Sequence, residues 1–224
     1  MNKTIILWDL DGTLVKHKNT DSKLSSHSIF LSTLGFDITA QPIQLSGLTD
    51  YEVLINTLMM NKISLKKFDL DELLQKFDIF YFKNFLNTSE SLVPLIDANH
   101  LNSLRQSFEF GVLTGNTKRR CMLKLDRVGL KNEIDPKLIF YCDGNKSRIN
   151  LVQAAYQEIC IKMQRNIVVI GDTPNDVLSA NSLGVPAISI ASGKYSFEAL
   201  RSINKGLVLK KFDKLKITEF VSNF

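Results

Sequence analysis

The chain has 224 residues, 44% hydrophobic and 23% charged, with a formal net charge of +5. That length allows one α/β core and a small second domain, and no stretch approaches the roughly 18 consecutive apolar residues that a membrane span needs. Cys121, Cys142 and Cys160 have no CxxC spacing, which argues against a disulfide framework or a thiolate zinc site. They read as reduced, buried thiols.

The chain opens on Ile5-Ile6-Leu7-Trp8, too short and too soon interrupted by acid for a secretory signal. It reads as a buried strand of a cytoplasmic protein. From about Val15 to Ser91 no clear strand follows, but helical patterns do, which suggests an inserted helical module. Thr49-Asp50-Tyr51-Glu52 has the spacing of a capping box, followed by Val53, Leu54, Leu58 and Met59 as an apolar face. A second helix is expected from Asp71 to Leu86, where Leu73, Leu74, Phe77, Phe80, Tyr81 and Phe85 recur every three or four residues and read as core. Asn87-Thr88-Ser89 and Asn145-Lys146-Ser147 match the glycosylation pattern, which has no role without secretion.

Beyond Phe108, short apolar runs end at polar turns: Phe110 to Leu113, Leu138 to Tyr141, Ile167 to Ile170 and Ala187 to Ile190. Helices are expected between them, over Lys118 to Val128, Ile149 to Met163 and Asp176 to Leu183, with Gly129 and Gly184 as helix stops. This alternation predicts an α/β fold with a doubly wound parallel sheet, whose ligands bind beyond the carboxyl ends of the strands. The basic groups Lys16-His17-Lys18, Lys118-Arg119-Arg120 and Lys210-Lys211 with Lys214 and Lys216 are short and dispersed. They read as solvated faces, and no nucleic-acid partner is expected. His17, His27 and His100 lack a metal-ligand spacing and are assigned to surface or packing roles.

Three strand ends carry residues with chemistry. In Asp9-Leu10-Asp11-Gly12-Thr13-Leu14 the two carboxylates are two residues apart, so an extended chain aims both at one bound group. One can attack as a nucleophile while the other moves protons; the bland alternative is a pair of turn aspartates. Val112-Leu113-Thr114-Gly115-Asn116 offers a hydroxyl and an amide at a helix start, suited to an anion or simply to capping. In Gly171-Asp172-Thr173-Pro174-Asn175-Asp176 a strand delivers two carboxylates that can share one hard cation with Asp9, magnesium being expected; the alternative is an ordinary helix start.

Taken together, DxDGTL at Asp9 to Leu14, TGN at Thr114 to Asn116 and GDTPxD at Gly171 to Asp176 resemble the ordered signature of haloacid dehalogenase-like phosphatases. The resemblance implies a Rossmann-like core over 1–15 and 92–224, interrupted by an all-helical cap over 16–91. It makes Asp9 the nucleophile and a Mg2+ ligand, and Asp11 the general acid/base and a ligand through its backbone carbonyl. Thr114 and Asn116, flanking Gly115, would bind phosphate; Asp172 would bind the metal directly, and Asp176 through water or a hydrogen bond. The family also places a cation before the last motif. Lys146 and Arg148 both qualify, with Arg148 closer to the usual register. Leu45-Ser46-Gly47-Leu48-Thr49-Asp50 resembles the glycine-containing cap loop of relatives of phosphoglycolate phosphatase, so Gly47 and Thr49 would face the substrate, with capping an equal alternative for Thr49. The implied activity is hydrolysis of a small phosphorylated metabolite by a monomer or homodimer, without membrane or nucleic-acid partners. A phosphomutase of the β-phosphoglucomutase type and a non-catalytic binding protein are the alternatives.

Overall fold

The computed structural model describes residues 3–18, 25–40, 45–85, 92–144 and 146–224. Its strands are β1 (Ile5–Trp8), β2 (Val15–His17), β3 (Leu92–Pro94), β4 (Glu109–Leu113), β5 (Ile139–Phe140), β6 (Ile167–Gly171), β7 (Ala187–Ile190) and β8 (Leu207–Leu209). Its helices are α1 (Ser26–Thr33), α2 (Asp50–Met60), α3 (Leu70–Phe85), α4 (Ala98–Arg105), α5 (Lys118–Arg127), α6 (Arg148–Ala155), α7 (Pro174–Asn181), α8 (Phe197–Ile203) and α9 (Lys214–Val221).

Six strands form a parallel sheet in the order β5-β4-β1-β6-β7-β8. Side chains alternate along β1, so it feeds both faces of the sheet. Ile6 and Trp8 pack with Leu101 of α4, Cys121 and Leu125 of α5, and Ile217 of α9. Ile5 and Leu7 pack on the opposite face with Leu151 and Val152 of α6 and Val177 of α7. This is the expected doubly wound α/β architecture. The direction of winding reverses about β1, where Trp8 is level with Val112 on one side and Ile170 on the other. The residues that follow each strand therefore emerge at one height, which is where such sheets bind ligands.

Between β2 and β3 the described chain is helical. Phe30 and Leu31 of α1, Leu54 and Leu58 of α2, and Leu74 and Phe77 of α3 form a hydrophobic cluster separate from the two beside the sheet. The Thr49–Glu52 capping box is present at the start of α2. Met59, expected on the apolar face, is 60% exposed, because the buried stripe runs through Val53, Leu54, Thr57 and Leu58 instead. The segment was expected to lack strands, yet β2 and β3 pair antiparallel at its two ends. Three residues are too few for alternation to be read. Likewise β5 is only two residues, preceded by a 3-10 turn at Pro136–Leu138, and α6 passes into a π-helical turn over Tyr156–Lys162. Gly129 and Gly184 follow α5 and α7 with positive φ, as helix stops. Residues 87–89, with their glycosylation pattern, and Asn145 of the second such pattern lie outside the described residues. Among the described residues no helix is long and apolar enough to cross a membrane.

Candidate active site

Asp9 follows β1, and Asp172 and Asp176 follow β6 and open α7; all three are buried. One carboxylate oxygen from each lies within 4.8 Å of the others. Arg148, the first residue of α6 after its Ser147 cap, reaches into this cluster. Its Nη2 donates to Asp9 Oδ1 at 2.9 Å and also to Asp176. Asp176 further accepts from the backbone N–H of Thr173 at 3.0 Å and its hydroxyl at 2.7 Å, the capping box that starts α7. Lys146, the other candidate cation, is exposed and stands over the Tyr51 ring.

Charge is unbalanced here. Burial and the Asp176 carboxylate push the Asp9 carboxyl well above the usual range against the pull of Arg148, with Asp172 and Asp11 adding to the rise. Burial and Asp176 likewise raise Asp172 to about 7, opposed by a hydrogen bond from Thr13 at 3.3 Å. A divalent cation would offset this repulsion, and the donors, all carboxylate oxygen, suit a hard ion such as magnesium. The backbone makes room for the Asp172 carboxylate. A Cβ at Gly12, where φ is +92°, or at Gly193 in the turn after β7 would collide with the Asp172 carboxylate. Ser192 pins the same turn by donating to the Gly12 carbonyl at 2.6 Å. Because Asp176 is committed to Arg148 and Thr173, Asp9 and Asp172 are the carboxylates best placed to hold such an ion directly.

Asp11 points to the other side of the turn. Lys124 Nζ donates to its two oxygens at 2.8 and 2.7 Å, and Asn116 Nδ2 donates to it at 2.6 Å. Burial alone would raise the Asp11 carboxyl, but Lys124, His17 and the bonds from Lys124 and Asn116 bring it down to about 2. Asn116 Nδ2 also lies 2.8 Å from Thr114 Oγ1, so the TGN segment and Asp11 form one polar group. The buried Nε of Arg148 has no hydrogen-bond partner, which leaves a donor for a ligand.

Asp9, Asp11, Lys124 and Arg148 line a cavity of about 300 Å³ between the strand ends and the helical segment, while Asp172 and Asp176 stand off its wall. Gly47, Thr114, Gly115 and Asn116 lie on its wall. Thr49 does not; it is fully buried, capping α2 and donating to the Lys146 carbonyl at 3.1 Å.

Several wall residues have sequence patterns that point to surface or packing roles. Arg120, expected on a solvated face, is 2% exposed; it donates from Nε to Asp78 at 2.9 Å and pairs with Asp50. Thr117 joins it, donating to Asp78 at 2.8 Å through its hydroxyl and to Asp50 at 3.1 Å through its N–H. Two carboxylates of the helical segment are thus gripped by the start of α5. His17 and His27 also line the cavity, as does Tyr81 from the stripe read as core. Tyr81 Oη is 2.8 Å from His17 Nε2, which is 3.8 Å from Asp11 Oδ1. Burial, with Lys124 and Arg120, lowers His17 to about 4 despite Asp11, and holds His27 well below its ordinary value. One local signal was available: Lys124 lies between Cys121 and Leu125, on the apolar face of α5, where a cation must find a buried partner.

A family model described as haloacid dehalogenase-like hydrolase matches residues 6–190. No curated protein matches the chain. Among solved structures, CbbY from Rhodobacter sphaeroides in complex with xylulose-1,5-bisphosphate superposes with a TM-score of 0.70 at 14% identity, covering 94% of this chain and 95% of that one. A protein described as a predicted phosphatase from Clostridium acetobutylicum gives 0.66 at 21% identity, with 98% and 100% covered. One described as a predicted phosphoglycolate phosphatase from Haemophilus somnus gives 0.62 at 19%, with 96% and 97% covered. At these identities the likeness establishes a shared fold.

Proposed function

The chain belongs to the haloacid dehalogenase-like hydrolase family, and on that footing we propose that it is a magnesium-dependent phosphomonoester hydrolase acting on a small phosphorylated metabolite. The observation that carries this reading is the convergence of Asp172, Asp176 and Arg148 on Asp9, which lines one cavity together with Arg148, Asp11 and the Thr114–Asn116 turn.

Asp9 is the nucleophile: its carboxylate attacks phosphorus and forms an aspartyl-phosphate. Arg148 orients Asp9 and neutralises phosphoryl oxygens, its free Nε supplying one further donor. Thr114 and Asn116 hold the phosphoryl group from the opposite side. A magnesium ion held by Asp9, Asp172 and the Asp11 carbonyl would add positive charge where the transferring group is most negative. Asp11, protonated as the dianionic phosphoryl group docks beside it, gives its proton to the departing oxygen. As a carboxylate it then takes a proton from the water that hydrolyses the aspartyl-phosphate, and Lys124 and Asn116 favour that charged form. The helical segment, residues 16–91 in this reading, acts as a cap that excludes bulk water.

The test is release of inorganic phosphate from a panel of phosphomonoesters with and without magnesium, for wild type and Asp9→Asn. Magnesium-dependent release that disappears in the variant supports the proposal. Isomerisation of a sugar monophosphate primed by a sugar bisphosphate, without net release of phosphate, would indicate a mutase, and neither isomerisation nor release would indicate a binding protein.

A further inference from the structure

Resting on the hydrolase reading, we infer that His17, fixed in place by Tyr81, selects phosphomonoesters whose leaving group carries an uncharged hydroxyl beside the ester oxygen. A glycerol or sugar monophosphate fits this description; a bisphosphate or a phosphorylated carboxylic acid does not.

The first support is an account of charge on the cavity wall. Its cations are Arg120, Lys124 and Arg148, and each is already committed. The three bonds from Lys124 Nζ go to both Asp11 oxygens and to Asn116 Oδ1 at 2.8 Å. Arg120 is held by Asp50 and Asp78, and Arg148 serves the phosphoryl end. Among the described residues no cation of the wall remains for a second anionic group. An anion bound beyond the phosphoryl group would be desolvated without a partner, which is strongly unfavourable.

The second support is position. A leaving oxygen that receives a proton from Asp11 places the next substituent of the alcohol beside His17, whose Nε2 lies 3.8 Å from Asp11 Oδ1. That nitrogen is tied to Tyr81 Oη at 2.8 Å, and the two rings meet edge to face at 88°. The other ring nitrogen takes no partner among the described residues, and the side chain is 23% exposed. An imidazole held in this way has a second ring nitrogen left to share one hydrogen bond with a hydroxyl. Leu45, Leu48 and Val53 complete the wall with apolar surface, and a cavity of about 300 Å³ limits the alcohol to a few carbons.

The experiment measures binding separately from turnover. Glycerol 3-phosphate, propyl phosphate and phosphoglycolate are titrated calorimetrically into Asp9→Asn with magnesium, and phosphate release from the same esters is followed for wild type. Glycerol 3-phosphate is expected to bind about tenfold more tightly than propyl phosphate, the size of one well-made hydrogen bond, and more tightly than phosphoglycolate. Adding Tyr81→Phe or His17→Leu to Asp9→Asn should bring the glycerol-to-propyl ratio towards one, with His17→Gln retaining part of it and circular dichroism checking the fold of each. Equal binding of the glycerol and propyl esters, a preference for phosphoglycolate, or a ratio unmoved by all three substitutions overturns the inference. If the binding preference holds but wild type releases no phosphate, the hydrolase reading fails and the selection by His17 stands.

Discussion

Lys124 and Asp11 are separated by 113 positions in the chain, yet the ammonium of one lies within 2.8 Å of both carboxylate oxygens of the other. Lys124 is 3% exposed, so its charge is stable only because this partner is present. The pair joins α5 to the turn after β1 and fixes the direction in which Asp11 points. Replacing Lys124 by methionine keeps most of the apolar stem of the side chain and removes the clamp. Phosphate release is then expected to fall at least about tenfold, since one charge-assisted hydrogen bond is worth about 1.5–3 kcal/mol. Steady-state kinetics check this, with the effect expected in kcat more than in KM.

Arg148 and Lys146 are distinguishable by substitution. Arg148→Met leaves Asp9 and Asp176 buried without their counter-charge, and a loss of about 3–5 kcal/mol in stability is expected from a broken buried pair. Activity should disappear with it. Lys146→Ala, at an exposed position, should leave both urea unfolding and phosphate release close to wild type. The reverse pattern would move the catalytic cation to Lys146.

Gly193→Ala is expected to weaken magnesium binding without unfolding the protein. The added methyl would occupy the space of the Asp172 carboxylate, which must turn away or push the turn after β7 outward. The readout is the thermal midpoint as magnesium is added. Wild type should be stabilised with rising metal concentration, and the variant should respond only at much higher concentration, if at all.

The positions of Asp9, Thr114, Asp172 and Asp176 at strand ends were legible because each depends on a local pattern, an apolar run followed by a polar turn. The parallel sheet with helices on both faces followed from the alternation of such runs with helices, whereas the order of its strands did not. What was illegible depends on distance. Arg120, Lys124, His17 and Tyr81 gain their roles from partners 42, 113, 64 and 64 positions away respectively, and nothing near them in the sequence names those partners. The strands β2, β3 and β8 were hidden for another reason, since three residues show no period. Gly193 carries no side chain to notice; its importance is the space it leaves for Asp172.

His27 makes stability depend on pH. Burial, with Arg120 and Lys124 nearby, holds its folded pKa well below the ordinary 6.5, although Asp50 lies 3.4 Å from Nε2. Below about pH 6.5 the unfolded chain binds a proton that the folded chain refuses, so this contribution is complete above that value and declines on acidification. One proton corresponds to at most about 1.4 kcal/mol per pH unit. Asp9 and Asp172, whose carboxyls are raised, act with the opposite sign. The informative quantity is therefore a difference: between pH 7 and 5 the urea stability of His27→Phe should decline less steeply than that of wild type.

The antiparallel ribbon of β2 and β3 sets Val15 opposite Pro94 and His17 opposite Leu92. The two passages of chain into and out of the helical segment therefore run side by side. In terms of topology, everything between them is one long hairpin loop set into an otherwise continuous α/β chain. Its length and content can change without disturbing the order of the six parallel strands, because among the described residues no strand of that sheet comes from within it. In the proposed hydrolase, Asp9, Asp172 and Arg148 lie outside this loop and Tyr81 lies within it, so the two sets can be exchanged separately. Grafting a different helical segment between residues 17 and 92 would be a route to a new substrate with the same carboxylates beneath it.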